Sequence, residues 1–438
     1  MLEKIFGWGK KKEVPDPGIR FGRYSDNNKP NEKVARWNDA DALFKEKKYA
    51  DSISAFFDYL RDDGVQNVVH ERNGNEGRFE LVQGSKIVRG TYNTEKLRAE
   101  ATLAKMPQPS VPVMRRLLEM NFNLYYGRFA LDNERVCMQF DSPIEAANPN
   151  KLYYGLKELA TKADKQDDLL VQDFTILQSM DTDHITVIPE KEKEVKYEYL
   201  VKWIKDTLDY VGTLDADKFS GGIAYLLLSL AYRIDYLITP EGKLLGELEK
   251  IVEIYFRKDE RPAQEKNREM IEGYARLQAK SREEVVPFLF TSKYTFAITA
   301  PQVYKTIADS ILNSNQNITW YRDNSYTQIA TQICEYGIAY CQYSYSLARP
   351  VTGFFHVFMM VHYSDYFEAL GYKEKYYDKV TKQFNPAAIT EKIKQVQDQW
   401  KTKFPNMVFK SENLRYDSLL NFALSFTNEL QLLNMEIK

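Results

Sequence analysis

The sequence predicts an α+β N-terminal domain, an antiparallel sheet packed on helices, followed by an all-α helical domain. Three observations carry this expectation. Apolar residues alternate between 68 and 105, and again between 122 and 140, which is the period of a half-buried strand. From 190 onward they recur every three to four residues, the period of an amphipathic helix. The length of 438 residues also exceeds what one hydrophobic core usually holds.

Residues 1–31 read as a flexible tail, with Pro15, Pro17 and Pro30, the lysines Lys10, Lys11 and Lys12, and few apolar positions. Helix follows over 32–61, where Val34, Trp37, Phe44, Ile53, Phe56, Phe57 and Leu60 fall at helical steps. Its middle, 42–57, is similar to one helical pair of a tetratricopeptide repeat, without the stacked neighbours such a unit needs. Strands are expected at 68–72, 78–82 and 86–92, separated by Asn73-Gly74 and Gln83-Gly84-Ser85. A fourth is expected from Leu97, Ala99, Ala101 and Leu103. Ser110 and Pro112 then open a short helix carrying Met114, Leu117 and Leu118.

A hairpin comes next, 122–131 and 135–140 around Asp132-Asn133. Phe122, Leu124 and Tyr126 share one strand face. Phe129 and Leu131 are out of phase with them, so a bulge at Gly127 is expected to restore the inward phase. A helix at about 150–170 closes the α+β domain, placed at 32–172. Residues 173–190 are expected as a linker that adds at most one strand, at 184–188.

The all-α domain, 191–438, begins with the stripe Val195, Tyr199, Trp203, Ile204, Leu208 and Val211. Further helices are expected at 221–238, 242–257, 262–279, 301–313, 325–348, 352–370, 386–403 and 411–433.

Composition narrows the function classes. Lys and Arg number 60 against 62 Asp and Glu, so no overall charge attracts nucleic acid. The longest stretch free of charged side chains, 350–364, is shorter than the roughly 20 residues of a membrane span. The leucine-rich 223–232 is followed at once by Arg233 and Asp235, so both read as buried core helices and no integral membrane segment is expected. A broken apolar start and three cysteines, Cys137, Cys334 and Cys341, fit reduced thiols in the cytoplasm. Ile5, Phe6 and Trp8, with the lysines that follow, offer a peripheral membrane contact as the alternative to a solvated end.

The segment 113–170 carries Leu117, Leu118 and Asn121, then Gly127, Phe129 and Leu131, the turn Asp132-Asn133, and a loop with Asp141 and Pro143. This pattern resembles the type III secretion chaperone-like superfamily, which includes the Tir chaperones and the YbjN-type bacterial proteins. The resemblance covers about 32–172 and none of the helical half. It implies a sheet layered on helices, often dimeric, that binds other polypeptides and performs no chemistry.

Chemistry-bearing patterns are sparse. His356 and His362 lie six apart and cannot share a helix face. Gly221-Gly222 lacks any wider phosphate-binding fingerprint. Cys334 and Cys341, with Gly337 and Ala339, read as small residues for close helix packing. Tyr336, Tyr340 and Tyr343 form a stripe that would line either a binding groove or a helix–helix core. The expectation is a non-enzymatic protein-binding or scaffold protein of the bacterial cytoplasm, with no cofactor and no metal. Its partner would be another protein or a second copy, bound through Phe122, Leu124, Tyr126 and Phe129 and through the tyrosine stripe. The alternative is an enzyme or ligand-binding protein with a site in the Tyr-rich helical domain, using Asp365 and Glu368 near His362.

Overall fold

The computed structural model of the chain describes residues 16–27 and 29–437. The segment with Ile5, Phe6, Trp8 and the three lysines lies outside them.

A helical hairpin, α1 (Asn31–Lys45) and α2 (Tyr49–Leu60), leads into strands β1 (Val68–Asn73), β2 (Glu76–Gln83), β3 (Lys86–Tyr92) and β4 (Lys96–Lys105). Then come α3 (Val111–Asn121), β5 (Arg128–Asp132), β6 (Arg135–Pro143) and the long α4 (Pro149–Asp173). The sheet is antiparallel, in the order β1-β2-β3-β4-β6-β5. Its inner face buries Phe79, Leu81, Val88, Ala99, Ala101, Met138 and Phe140 beneath α4. The bulge lies in β4, between Thr102 and Ala104, rather than at Gly127. Asn148 caps α4 by accepting from the Lys151 N–H at 2.9 Å, while Ser110 stands at the cap position of α3 without a side-chain bond.

The outer face of the sheet is exposed and charged. Glu71 pairs with Arg78 at 2.6 Å, Glu80 with Arg89 at 3.3 Å, and Glu100 with Arg135 at 3.3 Å. The helical half does not cover it.

Residues 173–190, expected as a linker, carry β7 (Gln178–Ser179), which pairs with β4, and β8 (Thr186–Val187). The chain after them is mostly helical: α5 (Glu190–Val211), α6 (Ser220–Arg233), α7 (Gly242–Phe256), α8 (Ala263–Gln278) and the short α9 (Arg282–Val285). Strand β9 (Phe290–Thr291) pairs with β8, and the following residues return to the sheet domain. Helices α10 (Tyr304–Asn317), α11 (Thr319–Asp323), α12 (Thr327–Ser344), α13 (Arg349–His362) and α14 (Ser364–Ala369) come next. A two-residue hairpin of β10 (Tyr377–Asp378) and β11 (Gln383–Phe384), then α15 (Pro386–Trp400) and α16 (Leu419–Gln431), complete the fold.

Several expected helices are cut differently by tertiary contacts. The single helix expected at 352–370 breaks at Tyr363. Its hydroxyl donates to buried Glu335, and Arg233 lies over its ring at 4.6 Å. Pro301 bridges Ser346 instead of opening a helix. At 411–433 the helix begins at Leu419, where the Ser418 hydroxyl accepts from the Asn421 N–H at 3.2 Å. Among the described residues, one segment, Ser220–Ile238, is long and apolar enough to cross a membrane, and 89% of it is buried inside the protein.

The described part of the expected tail is not flexible coil. Residues 16–27 are docked on the helical half. Phe21 packs among Tyr236, His356, Phe367 and Tyr372. Gly22 has a φ of +69°, and a Cβ there would lie 2.7 Å from the Tyr236 ring, so only glycine fits. Its N–H donates to the Tyr236 carbonyl at 2.8 Å. That carbonyl is free because it lies in the last turn of the helix, at the π-helical turn Ile234–Ile238 that continues α6, and Pro240 four residues on has no N–H to offer it. Arg23 Nε donates to Asp235 Oδ1 of this turn at 2.9 Å, and its guanidinium reaches Glu249 of α7 at 3.3 Å. Glu249 also meets Lys165 of α4 at 3.1 Å, so one charge network joins the strap, the helical half and the sheet domain.

Breaking one side of a buried pair leaves an uncompensated charge, which costs about 3–5 kcal/mol. Arg23→Ala is therefore expected to lower stability by about that amount in urea unfolding. The double variant Arg23→Met/Asp235→Leu should recover most of the loss. A single variant as stable as the wild type would contradict this role for the strap.

Candidate functional site

At the β5 end of the sheet, α3 turns Val113, Leu117 and Met120 inward and leaves Val111 and Leu118 exposed. The chain that follows is not the strand expected from 122. Glu158 of α4 accepts three successive backbone N–H bonds, from Tyr125 at 2.8 Å, Tyr126 at 2.7 Å and Gly127 at 2.9 Å. A strand presents successive N–H groups to opposite sides, so three converging on one carboxylate require a curled loop. The strand face expected for Phe122, Leu124 and Tyr126 is thereby abolished. Phe122 is 91% exposed and Tyr125 92%, Tyr126 also faces out, and Leu124 is half-buried against the core. Of the four expected binding residues here, only Phe129 is fully buried. Tyr125, the most exposed aromatic of the loop, was missed because strand alternation had placed it on the solvent side without a role.

The edge of β5 is partly blocked. Asn121 accepts from the Phe129 N–H at 2.7 Å and donates to the Phe129 carbonyl at 3.3 Å. It occupies the groups an added strand would use. The exposed surface here is thus a side-chain surface of Val111, Leu118, Phe122 and Tyr125.

The tyrosine stripe lies where α6, α12 and the N-terminal strap meet. Tyr336 stacks on Tyr340 with ring centroids 5.8 Å apart and meets Tyr225 edge-on at 4.8 Å. Tyr343 lies 4.8 Å from Tyr232 and under the Arg23 guanidinium at 4.1 Å. All three are half-buried and act as helix–helix contacts.

The groups considered for chemistry are not brought together. His362 is buried and stacked on Phe358 at 4.1 Å, and burial, with Lys379 and Arg233 nearby, pushes it down to about 3. Asp365 is bound to Lys379 at 2.6 Å and Glu368 to Lys375 at 3.3 Å. Burial pushes Cys334 and Cys341 up to about 12, so both stay thiols. Gly222 packs under the Tyr321 ring.

Sequence reasoning also missed an acidic seam between the two halves. Asp164, Asp167 and Asp168 of α4 fall at i, i+3 and i+4 and share a face, a spacing visible in the sequence. Asp164 Oδ1 accepts from the Ser85 N–H at 2.7 Å. Asp167 Oδ2 accepts from the Ser85 hydroxyl at 2.8 Å and pairs with Lys86 Nζ at 3.0 Å. Lys86 is only 1% exposed and donates to the Met180 carbonyl at 2.7 Å. Opposite them Glu241 accepts from the Tyr294 hydroxyl at 2.6 Å. Burial pushes Glu241 up to about 7, and burial together with Asp167 pushes Asp168 up to about 6. Asp164 rises well above the usual range through burial, then through Glu241 and Asp167.

No protein-family model matches the chain, and no curated protein matches it significantly.

A carboxyl with a raised folded pKa contributes its stability at low pH and loses it as pH rises through the folded value. Wild-type stability is expected to fall by about 2 kcal/mol relative to Glu241→Gln between about pH 5 and pH 8. The substituted amide keeps an acceptor for the Tyr294 hydroxyl but does not ionise. Urea titrations of both proteins across that range read the difference, and parallel curves would contradict the buried carboxyl.

Proposed function

We propose that this is a non-enzymatic, chaperone-like protein-binding protein of the bacterial cytoplasm, with a sheet domain of the type III secretion chaperone-like kind. The order helical hairpin, four strands, short helix, β-hairpin and long closing helix supports that reading of the sheet domain. The observation that carries the function is a pair of fully presented aromatics, Phe122 at the end of α3 and Tyr125 on the backbone clamped by Glu158. Aromatic side chains are among the anchors that dominate protein interfaces, and a fixed backbone lowers the ordering cost of docking them.

The partner this surface fits is a second copy of the chain. Val111, Arg115, Leu118 and Phe122 run along the outer side of α3 at steps of four, three and four, the spacing of a helix–helix seam. In a two-fold antiparallel pairing, Arg115 and Arg116 of one copy face Glu119 of the other. The same patch then serves both sides, as a two-fold interface requires.

Light scattering at micromolar concentration tests this. The wild type is expected to have twice the chain mass and Leu118→Glu and Phe122→Asp the mass of one chain, with unchanged circular dichroism because both side chains are exposed. A wild type that stays monomeric would overturn the proposal.

A further inference from the structure

The groove that holds residues 16–27 reads their sequence. Phe21 fills a pit walled by Tyr236, His356, Phe367 and Tyr372, its ring centroid 5.1 Å from that of His356. The Gly22 N–H donates to the Tyr236 carbonyl, and the 2.7 Å clearance to the Tyr236 ring refuses any side chain there. The Arg23 guanidinium lies over the Tyr343 ring at 4.1 Å and between Asp235 and Glu249. Asp235 is 4% exposed, and Arg23 is its only side-chain partner among the described residues. An emptied groove would thus present an apolar pit, a backbone acceptor and an unpaired buried carboxylate in a row, the last of which demands a cation.

The occupant is held as a ligand is held, not as a core element. Residues 16–27 form no helix or strand. Gly22 is the one fully buried residue of the segment, while Ile19, Phe21, Arg23 and Tyr24 are half-buried. Among the described residues, one backbone–backbone bond, from Gly22, ties the segment to the helices. Side chains supply the rest of the hold. The Ser25 hydroxyl donates to the Leu347 carbonyl at 2.7 Å, the Asn27 amide to the Ser346 carbonyl at 2.9 Å, and Arg20 to the Ser292 carbonyl at 2.7 Å. The segment lies on the surface, so it lifts off without opening either core. Docking of an extended segment into aromatic-lined pockets is a recurring mode of peptide recognition.

We propose that this groove is a peptide-binding site for an extended polypeptide segment with an aromatic residue, a glycine and an arginine in succession, and that the chain's own residues 16–27 occupy it in cis. A segment tethered beside its site competes at an effective concentration on the order of millimolar, so a partner segment gains access when the cis segment lifts. The site lies apart from the α3 surface, and either can fail without the other.

Two measurements on the full chain test it. Amide hydrogen exchange of the wild type reads whether the segment lifts. The Gly22 N–H is expected to exchange at least about a hundredfold faster than amides in the middle of α6, through local opening. Fluorescence anisotropy with a labelled peptide of residues 16–27 reads the vacated groove. The variant Phe21→Ala/Arg23→Ala, folded by circular dichroism, is expected to bind the peptide saturably, and the wild type about a hundredfold more weakly. Should that variant not fold, Phe21→Ala alone, which keeps the Arg23–Asp235 pair, takes its place. Peptides carrying Gly22→Ala or Arg23→Glu should bind at least about tenfold more weakly than the native peptide. Exchange at Gly22 only with global unfolding, no saturable binding to the folded variant, equal binding by variant and wild type, or equal binding of native and altered peptides would overturn the proposal.

Discussion

The architecture depends on a hairpin turn that is buried. Turns between antiparallel strands usually face water, which satisfies their polar groups. Here Gln83, Ser85 and Lys86 between β2 and β3 are almost wholly enclosed, and every partner must come from the protein. The 293–296 segment supplies one set. The Thr295 and Phe296 N–H groups donate to Gln83 Oε1 at 3.2 and 3.0 Å, Gln83 Nε2 donates back to the Phe296 carbonyl, and the Gly84 N–H reaches the Lys293 carbonyl at 2.9 Å. The aspartates of α4 supply the other. Undocking the halves would expose Phe296, a member of the sheet domain's core, and leave Lys86 and three carboxylates to be rehydrated. The two units are therefore one folding problem, although each has its own core.

The same logic explains the strap and the π-turn. The last carbonyls of a helix have no donor within it, Pro240 offers none to Tyr236, and buried carbonyls need donors. The Gly22 N–H takes that of Tyr236, and the Tyr366 hydroxyl takes that of Leu237 at 2.8 Å. Arg23 then neutralises Asp235 on the turn. An irregularity in one helix is thus stabilised by a segment more than two hundred residues earlier.

At the β5 end the constraint runs outward. Glu158 curls the loop and Asn121 caps the strand edge, so the aromatic side chains are displayed while strand addition is hindered. Pairing of a further strand at this edge is thereby disfavoured.

Periodicity determined much of this protein. Alternation located β1 to β4 and β6 to within a residue or two at most ends, β3 without error, and helical spacing located most of the helices, because both signals come from one buried face of one local element. The Gln83-Gly84-Ser85 turn was legible as a turn, since Gly84 adopts a φ of +55°. The sequence could not show that this turn is buried, that 16–27 is a docked strap, that the helix breaks at Tyr363, or that Phe122 and Tyr126 face outward. Each was decided by long-range polar contacts, from the 293–296 segment with the α4 aspartates, from Asp235, from Glu335 and from Glu158 respectively. A polar side chain carries no periodicity, and its partner is chosen only when the fold brings distant segments together and removes water as the competing partner.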